Sequence, residues 1–208
     1  MGKITKIIFL DNIKSRVVIV YFVLLALLSW TSLLLQDNES KGALTVLNII
    51  LFVTPLMSLL YTVTYLYDSH DFQVLLLSQP IKRKQIWQSL YMGVSLSLLI
   101  AFLLGAGIPM LMYTDLTTGL ILVLMGCVNT LIFVSLAFLT TMLTSDKTRG
   151  TGVSILIWLL LTMIYDAILL YAIFLLSDWP LETPLLTLLM LNPLDLTRFQ
   201  VILQMDVA

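Results

Sequence analysis

Charged residues are scarce in this chain. Of its 208 residues, 11% are Asp, Glu, Lys or Arg and 60% are hydrophobic, and the mean hydropathy is +1.04. Soluble domains carry about 25% charged residues. The composition therefore excludes an ordinary soluble protein and indicates a membrane protein, with the lipid bilayer as its first partner and no nucleic acid among the others.

Cysteine and histidine are nearly absent. The single cysteine, Cys127, excludes an internal disulfide and lies in an apolar run, where a free thiol packs as a small hydrophobe. The single histidine, His70, cannot build a zinc site by itself. The ten methionines are scattered over several apolar segments, which favours core filling over a copper site. We expect no metal and no cofactor bound by this chain.

Catalytic motifs are missing as well. The Lys41-Gly42 pair and the segment 149–152 lack the glycine spacing of a phosphate-binding loop. Neither the H-E-x-x-H nor the G-x-S-x-G pattern occurs. The chain is therefore predicted not to be an enzyme, and any ATP hydrolysis that serves it belongs to a separate polypeptide.

Long apolar segments dominate the chain instead. A spanning helix needs about 20 mainly apolar residues, and backbone groups in lipid must be satisfied within the segment, so these runs are helices. The predicted fold class is all-α, a polytopic membrane helical bundle in a single domain, 1–208. Its five spans are expected at about 17–35, 43–67, 86–113, 117–144 and 152–176.

Basic residues are unequally divided between the two sides of these spans. Nine of the 11 lie before the first span, in the 68–86 loop or in the 145–150 loop, and only Lys41 and Arg198 lie on the other side. Cytoplasmic loops carry the excess of Lys and Arg. The charge pattern thus predicts a cytoplasmic N-terminus, a cytoplasmic 68–86 loop and an outer 177–208 segment in a cytoplasmic membrane.

The first 15 residues combine lysines with an apolar face. Ile4, Ile7 and Ile8 recur at helical spacing among Lys3, Lys6 and Lys14. This pattern suits an interfacial elbow helix lying on the inner leaflet. A basic flank that only orients the first span explains the lysines equally well.

Small residues recur every four positions along the third span. They are Ser89, Gly93, Ser97, Ala101 and Gly105, followed by Pro109. Such a ridge lets another helix approach closely, and packing within the chain is favoured over packing against a second protomer. The glycines and the proline also predict a kink near the outer end of this helix.

The 68–86 loop is the longest polar interruption between two spans. Asp68 or Ser69 can cap a short helix, in which Phe72, Leu75 and Leu76 share one face until Pro80 ends it. The residues of this loop that we expect to contact a partner are Asp68, His70, Asp71, Phe72, Leu75, Leu76, Pro80, Lys82, Arg83 and Lys84. A solvated loop is the alternative, but an exposed Phe/Leu face needs something to cover it.

Asp166 lies well inside the fifth span. A carboxylate at the bilayer centre costs about 2.5–3.5 kcal/mol, so it should face protein or water. It is either a gating or substrate-path residue, or a protonated acid bonded to groups such as Thr162 or Asn129.

The segment after the fifth span is rich in turns. The run Leu185–Leu191 is too short to span and reads as re-entrant or interfacial. Asn192 and Pro193 then break the chain, Asp195 can cap a helix, and 196–207, with Arg198, is expected to be amphipathic. Five spans with an outer C-terminus lead us to expect a sixth span missing after this segment.

At this point the chain resembles the ABC-2-type permeases, the membrane subunits of ABC exporters. The elbow, the spans and residues 75–80, which match the family's L-L-x-x-P pattern, carry the resemblance. It implies that the 68–86 loop is a coupling helix docking into a separate cytoplasmic ATPase, which binds ATP and magnesium.

Three segments are similar to the NosY group within that family, namely 55–60, 164–170 and 191–198. This resemblance implies a NosF-like ATPase, a periplasmic NosD-like protein and a second permease copy as partners. The process served would be maturation of the copper–sulfur centre of nitrous oxide reductase. Export of a lipid, drug or peptide remains an alternative, as does a membrane scaffold or ion-conducting protein without an ATPase.

Overall fold

The computed structural model describes residues 2–36, 39–175 and 188–207. Over these residues the chain is built from helices and short connections, with no strand in the described ranges. The all-α fold class is confirmed.

Ten helices can be followed in the described residues, two of them continuing through π-helical turns. Their bounds are α1 Gly2–Ile13, α2 Arg16–Leu35, α3 Glu39–Asp68, α4 His70–Leu77, α5 Arg83–Phe102, α6 Ile108–Tyr113, α7 Leu116–Leu143, α8 Lys147–Leu159, α9 Tyr165–Leu175 and α10 Pro193–Val207. The π-helical turns are Leu103–Gly107, between α5 and α6, and Leu160–Ile164, between α8 and α9.

Five helical stretches are long and apolar enough to cross a membrane. They are Arg16–Leu35, Lys41–Asp68, Arg83–Tyr113, Leu116–Leu143 and Lys147–Leu175. Each lies within a few residues of a predicted span, so the multi-pass membrane architecture is confirmed.

The small-residue ridge of the third span packs within the chain. A Cβ added at Gly93 would overlap the Ile8 side chain on α1, and one at Gly105 would lie 3.0 Å from Leu25 Cβ on α2. A larger side chain at either position would push these helices apart. The π-helical turn Leu103–Gly107, directly before Pro109, falls where the sequence predicts a kink.

The N-terminal helix α1 is held against the bundle by more than this glycine contact. Asn12 is fully buried; its amide donates to the Ile8 carbonyl (2.7 Å), and its side-chain oxygen accepts a hydrogen bond from the Tyr61 hydroxyl on α3. Because a buried amide needs such partners, the hydrogen bond from Tyr61 fixes α1 against α3. The close contact between Ile8 and Gly93 fixes it against α5.

The helix α3 forms the middle of the bundle, and the fifth span lies at its edge. Helix α3 packs against α2, α7 and α8. Of the most apolar stretch of each span, 61% is buried in the third and only 11% in the fifth. The fifth span therefore leaves most of its apolar side chains for lipid or for another subunit.

Candidate functional site

One candidate site is the exposed helix α4, at the end of the bundle where most basic residues lie. We call this the basic end, made of residues 2–16, 68–84 and 144–149. Helix α3 ends at Asp68, and α4 begins at His70, with Ser69 between them. The Gln73 amide fastens it to α3 by donating to the Leu66 carbonyl (2.9 Å) and the Ser69 hydroxyl (3.1 Å).

The apolar side chains of α4 divide between two faces. Leu76 is 7% exposed and anchors the helix to the bundle, whereas Leu75 is 65% and Phe72 36% exposed. The sequence groups all three on one face; in the structure Leu76 points inward, and Phe72 and Leu75 project outward. The other predicted contact residues of this loop are all exposed: Asp68, His70, Asp71, Pro80, Lys82, Arg83 and Lys84.

The junction between α3 and α4 is tied to the start of the fifth span. Lys147 Nζ lies 2.5 Å from Asp68 Oδ1, and the Tyr67 hydroxyl donates to the Thr144 carbonyl at 2.9 Å. The Tyr67 ring packs directly on Gly150, where an added Cβ would lie 2.6 Å from a ring carbon. We call these four contacting residues and Thr144 the latch. These contacts join the end of α3, next to α4, to the first turn of α8.

Two open cavities adjoin this end of the bundle. One of about 500 Å³ lies between α1, α3 and α4, and one of about 570 Å³ lies between α1, α2 and α3. Asp11, Tyr65 and Asp68 line both of them. The cavities leave α4 free of the bundle on the side that carries Phe72.

A second candidate site joins the fifth span to α10. Arg198 Nη1 lies 3.0 Å from Asp166 Oδ2 and 3.7 Å from Asp195 Oδ1. The Asn192 amide donates to Asp195 Oδ2 (2.8 Å) and to the Leu161 carbonyl (2.8 Å). We call Asp166, Asn192, Asp195 and Arg198 the polar cluster. It supplies the intramembrane carboxylate with a cationic partner, as a low-dielectric setting demands.

The contacts show that the chain turns back along the fifth span. The Tyr165 hydroxyl donates to the Leu188 carbonyl, and Asn192 bonds deeper, at Leu161, near the middle of the candidate span. Arg198 then returns to the level of Asp166. Residues 188–202 thus form a hairpin with Asn192 at its tip. That Leu185–Leu191 is a re-entrant or interfacial piece stays a prediction, and residues 185–187 lie outside the described residues.

Burial at the tip of this hairpin is close to complete. Asn192 is 0% and Asp195 4% exposed, and the Asn192 side-chain oxygen accepts from the Leu194 backbone N–H (3.2 Å) as a local cap. Burial, followed by the nearby Asp166 carboxylate, raises the pKa of Asp195 to about 6, while Asn192 and Arg198 oppose this rise.

The helix α7 holds the hairpin from the other side. The Asn129 amide donates to the Thr197 hydroxyl at 3.0 Å, and Thr197 in turn donates to the Pro193 carbonyl at 2.8 Å. Asn129 thus binds α10 and not Asp166, and Thr162 donates to the Trp158 carbonyl. The sequence alternative of a protonated Asp166 bonded to these two groups does not match the contacts.

A cavity of about 200 Å³ opens onto the polar cluster. The α3 residue Asn48 lines it together with Thr162, Asp166, Asp195 and Arg198. Since liquid water occupies about 30 Å³ per molecule, this space is large enough for a few waters. Among the described residues, no group of three or more His, Cys, Asp or Glu side chains is placed to hold a metal ion.

Sequence reasoning found the members of both sites but not their connections. The structure brings Asp166 together with Asn192, Asp195 and Arg198, which the sequence had assigned separately to an intramembrane position and to an outer partner segment. Sequence reasoning missed the latch residues Tyr67, Thr144, Lys147 and Gly150. Whether the outer segment meets a partner stays a prediction.

Comparison with known proteins finds two similar membrane proteins. No protein-family model matches the chain. A probable ABC transporter permease protein NosY of Stutzerimonas stutzeri is 30% identical to it over 160 residues, covering 71% of this chain and 58% of that protein. The protein of the same name from Pseudomonas aeruginosa is 30% identical over 164 residues, with the same two coverages. The chain is NosY-like. It spans less than two thirds of the length of these curated relatives.

Proposed function

We propose that this chain is the membrane permease subunit of an ABC transporter, with α4 as the surface that binds a separate cytoplasmic ATPase. The observation that carries the proposal is the exposed Phe72/Leu75 pair on a short helix at the basic end. The similarity to two permeases named NosY supports it.

The orientation follows from the charges. Nine of the 11 basic residues belong to the loops and the N-terminal segment on the side of α4, which favours the cytoplasmic face of a bacterial inner membrane for this end. The exposed Lys82, Arg83 and Lys84 beside α4 supply a positive rim around the apolar pair. Such an apolar centre with a charged rim is typical of a protein-binding surface.

The latch supplies the means of transmission. Because Asp68, Tyr67 and Gly150 join the base of α4 to α8, a movement of the bound ATPase would tilt the fifth span. That span carries Asp166, which pairs with Arg198 of the hairpin. The same movement would thus reach the end of the bundle opposite α4.

By the same resemblance we propose the finer assignment. The ATPase would be NosF-like and would bind ATP and magnesium, a NosD-like protein would contact the outer 177–208 segment, and two permease copies would assemble together. The complex would serve maturation of the copper–sulfur centre of nitrous oxide reductase. The outward-facing apolar side chains of the fifth span offer area for a second copy.

A binding experiment tests the docking surface. The chain is co-expressed with the ATPase encoded beside its gene and purified by an affinity tag on the permease. We expect Phe72→Ala/Leu75→Ala to reduce ATPase recovery at least about tenfold, since two apolar anchors at an interface are each worth about 1–2 kcal/mol.

The matched control is Met142→Ala/Leu143→Ala. These side chains are apolar, 63% and 75% exposed, and lie at the same end of the bundle. The control should retain the ATPase. Equal recovery from both double variants would remove α4 from the proposal.

A further inference from the structure

The polar cluster carries an unbalanced charge. Asp166 and Asp195 face one guanidinium, that of Arg198, so with both acids ionised the cluster has a net charge of −1. The described residues that line the 200 Å³ cavity add no other charged group, and neither do those of a second cavity of about 320 Å³ between α9 and α10. An uncompensated charge at this level of a membrane bundle is costly.

Every element packed around the cluster can be checked for a compensating group. Helix α3 contributes Asn48, α7 contributes Asn129, and α9 contributes Asp166 and the weakly acidic Tyr165, whose hydroxyl donates to Leu188. Helix α10 contributes Asp195 and Arg198 themselves. Among these described residues Arg198 is the single cation, and it lies closer to Asp166 (3.0 Å) than to Asp195 (3.7 Å).

We propose that Asp195 is a proton-binding site, and that its bound proton is donated to the Asp166 carboxylate when the hairpin is seated. Asp166 and Arg198 then form a neutral ion pair, and the protonated Asp195 completes an uncharged cluster. The proton comes from water and returns to it; no other bond is made or broken. The proposal does not depend on an ATPase partner.

The surroundings of Asp195 favour a proton over a metal cation. Calcium needs six to eight oxygen ligands and magnesium six, whereas the described lining offers two carboxylates, one amide and one hydroxyl beside a guanidinium that repels cations. The Asn192 amide already donates to Asp195 Oδ2, leaving Oδ1 for the proton. The cavity of about 200 Å³ is large enough to admit water for proton exchange.

Proton binding predicts the sign of a pH effect. Burial and the Asp166 carboxylate favour the protonated form of Asp195, raising its pKa from 3.8 to about 6. The folded state therefore binds the proton more tightly than the unfolded chain does, and stability from this site is gained as the pH falls through about 6. Above that value the cluster is charged and the hairpin is held less firmly.

The test uses the full chain in detergent or in lipid nanodiscs. Infrared difference spectra are recorded between about pH 8 and about pH 5, together with the melting temperature, Tm, over the same range. The wild type should gain the carbonyl band of a buried protonated carboxyl group with a midpoint near 6. Its Tm should rise by several degrees as the pH falls.

Two isosteric variants assign the band. In Asp195→Asn the band should disappear and the Tm should vary less with pH, because this side chain resembles the protonated form. In Asp166→Asn the band should remain but titrate at least about one pH unit lower, since a negative neighbour is removed and Arg198 becomes available to Asp195. The exposed Asp115→Asn is the control and should leave the band and its midpoint unchanged.

The two variants together decide whether the proposal holds. A band that persists unchanged in Asp195→Asn, or a midpoint that does not move in Asp166→Asn, would overturn the proposal. If Asp195→Asn does not fold, the midpoint in Asp166→Asn decides alone. Recovery of the ATPase is a separate measurement, so failure here and failure of the docking surface are distinguishable.

Discussion

The exposed helix α4 and the buried polar cluster direct their side chains in opposite ways. Helix α4 presents apolar Phe72 and Leu75 outward, fixed by a few hydrogen bonds to α3. The cluster turns polar groups inward and pairs them between the fifth span, α7 and the hairpin. Because Phe72 and Leu75 lie in a loop outside the spans, we propose that they meet a partner, whereas the buried ion pair forms an internal contact.

The latch connects these two regions. Asp68 and Tyr67 sit at the base of α4, and their contacts Lys147 and Gly150 lie in the first turns of the fifth span. Asp166 lies further along the same span. The polar cluster and the latch can therefore be disturbed separately. We expect the largest loss of stability from the polar cluster and smaller losses from the latch.

Removing Arg198 should have the largest effect on stability. In Arg198→Gln both carboxylates lose their cationic partner, and breaking a buried pair costs about 3–5 kcal/mol where burial is complete. Arg198 keeps 40% of its side chain exposed, so we expect a smaller loss, about 2 kcal/mol. Denaturant unfolding in detergent measures it.

Arg149→Gln is the control for that loss. Its side chain is 77% exposed and pairs with Asp146 three residues earlier, and such surface pairs contribute about 0–1 kcal/mol. Equal effects of the two substitutions would show that the polar cluster does not hold the hairpin.

A methyl group in the latch should have an intermediate effect. Gly150→Ala places a Cβ 2.6 Å from the Tyr67 ring, and overpacking of this kind costs about 1–3 kcal/mol. Gly152→Ala, two residues away on the same helix, meets nothing within 4 Å. It should be neutral or stabilising by up to about 1 kcal/mol, because alanine favours a helix.

Thermal unfolding of the two alanine variants, measured side by side, gives the comparison. A lower Tm for Gly150→Ala than for Gly152→Ala is the expected order. The reverse order would mean that the close contact between Tyr67 and α8 is not maintained in the membrane.

The ion pair between Asp68 and Lys147 should have the smallest effect. Both side chains are about half exposed, so the pair contributes at most about 1 kcal/mol and is weakened by salt. A double-mutant cycle of Asp68→Asn and Lys147→Gln, measured at low and at high ionic strength, isolates this term. A coupling that does not decrease with salt would contradict an exposed pair.

The sequence alone could predict the elements that local pattern decides. Five apolar runs locate the five spans, and Pro80 and the run of leucines before it locate α4. The spacing-four ridge correctly predicts close packing within the chain, because glycine at 93 and 105 leaves room that only an approaching helix fills.

Contacts between distant residues could not be predicted in the same way. Asp166 and Arg198 are 32 residues apart, and Tyr67 and Thr144 are 77 apart, so no local periodicity links them. One signal was available: Asp166 needs a counter-ion, and Arg198 and Lys41 are the cations on that side of the predicted topology. For Tyr67 and Gly150 the sequence offers no comparable signal.

The most direct test of the account asks which residue touches the ATPase. In a Cys127→Ser background, which removes the only cysteine, single variants Leu75→Cys and Leu143→Cys are co-expressed with the ATPase. A membrane-permeant, cysteine-to-lysine cross-linker is then added. Leu75→Cys should give a cross-linked permease–ATPase product and Leu143→Cys should give little or none. A product from Leu143→Cys with none from Leu75→Cys would contradict docking through α4.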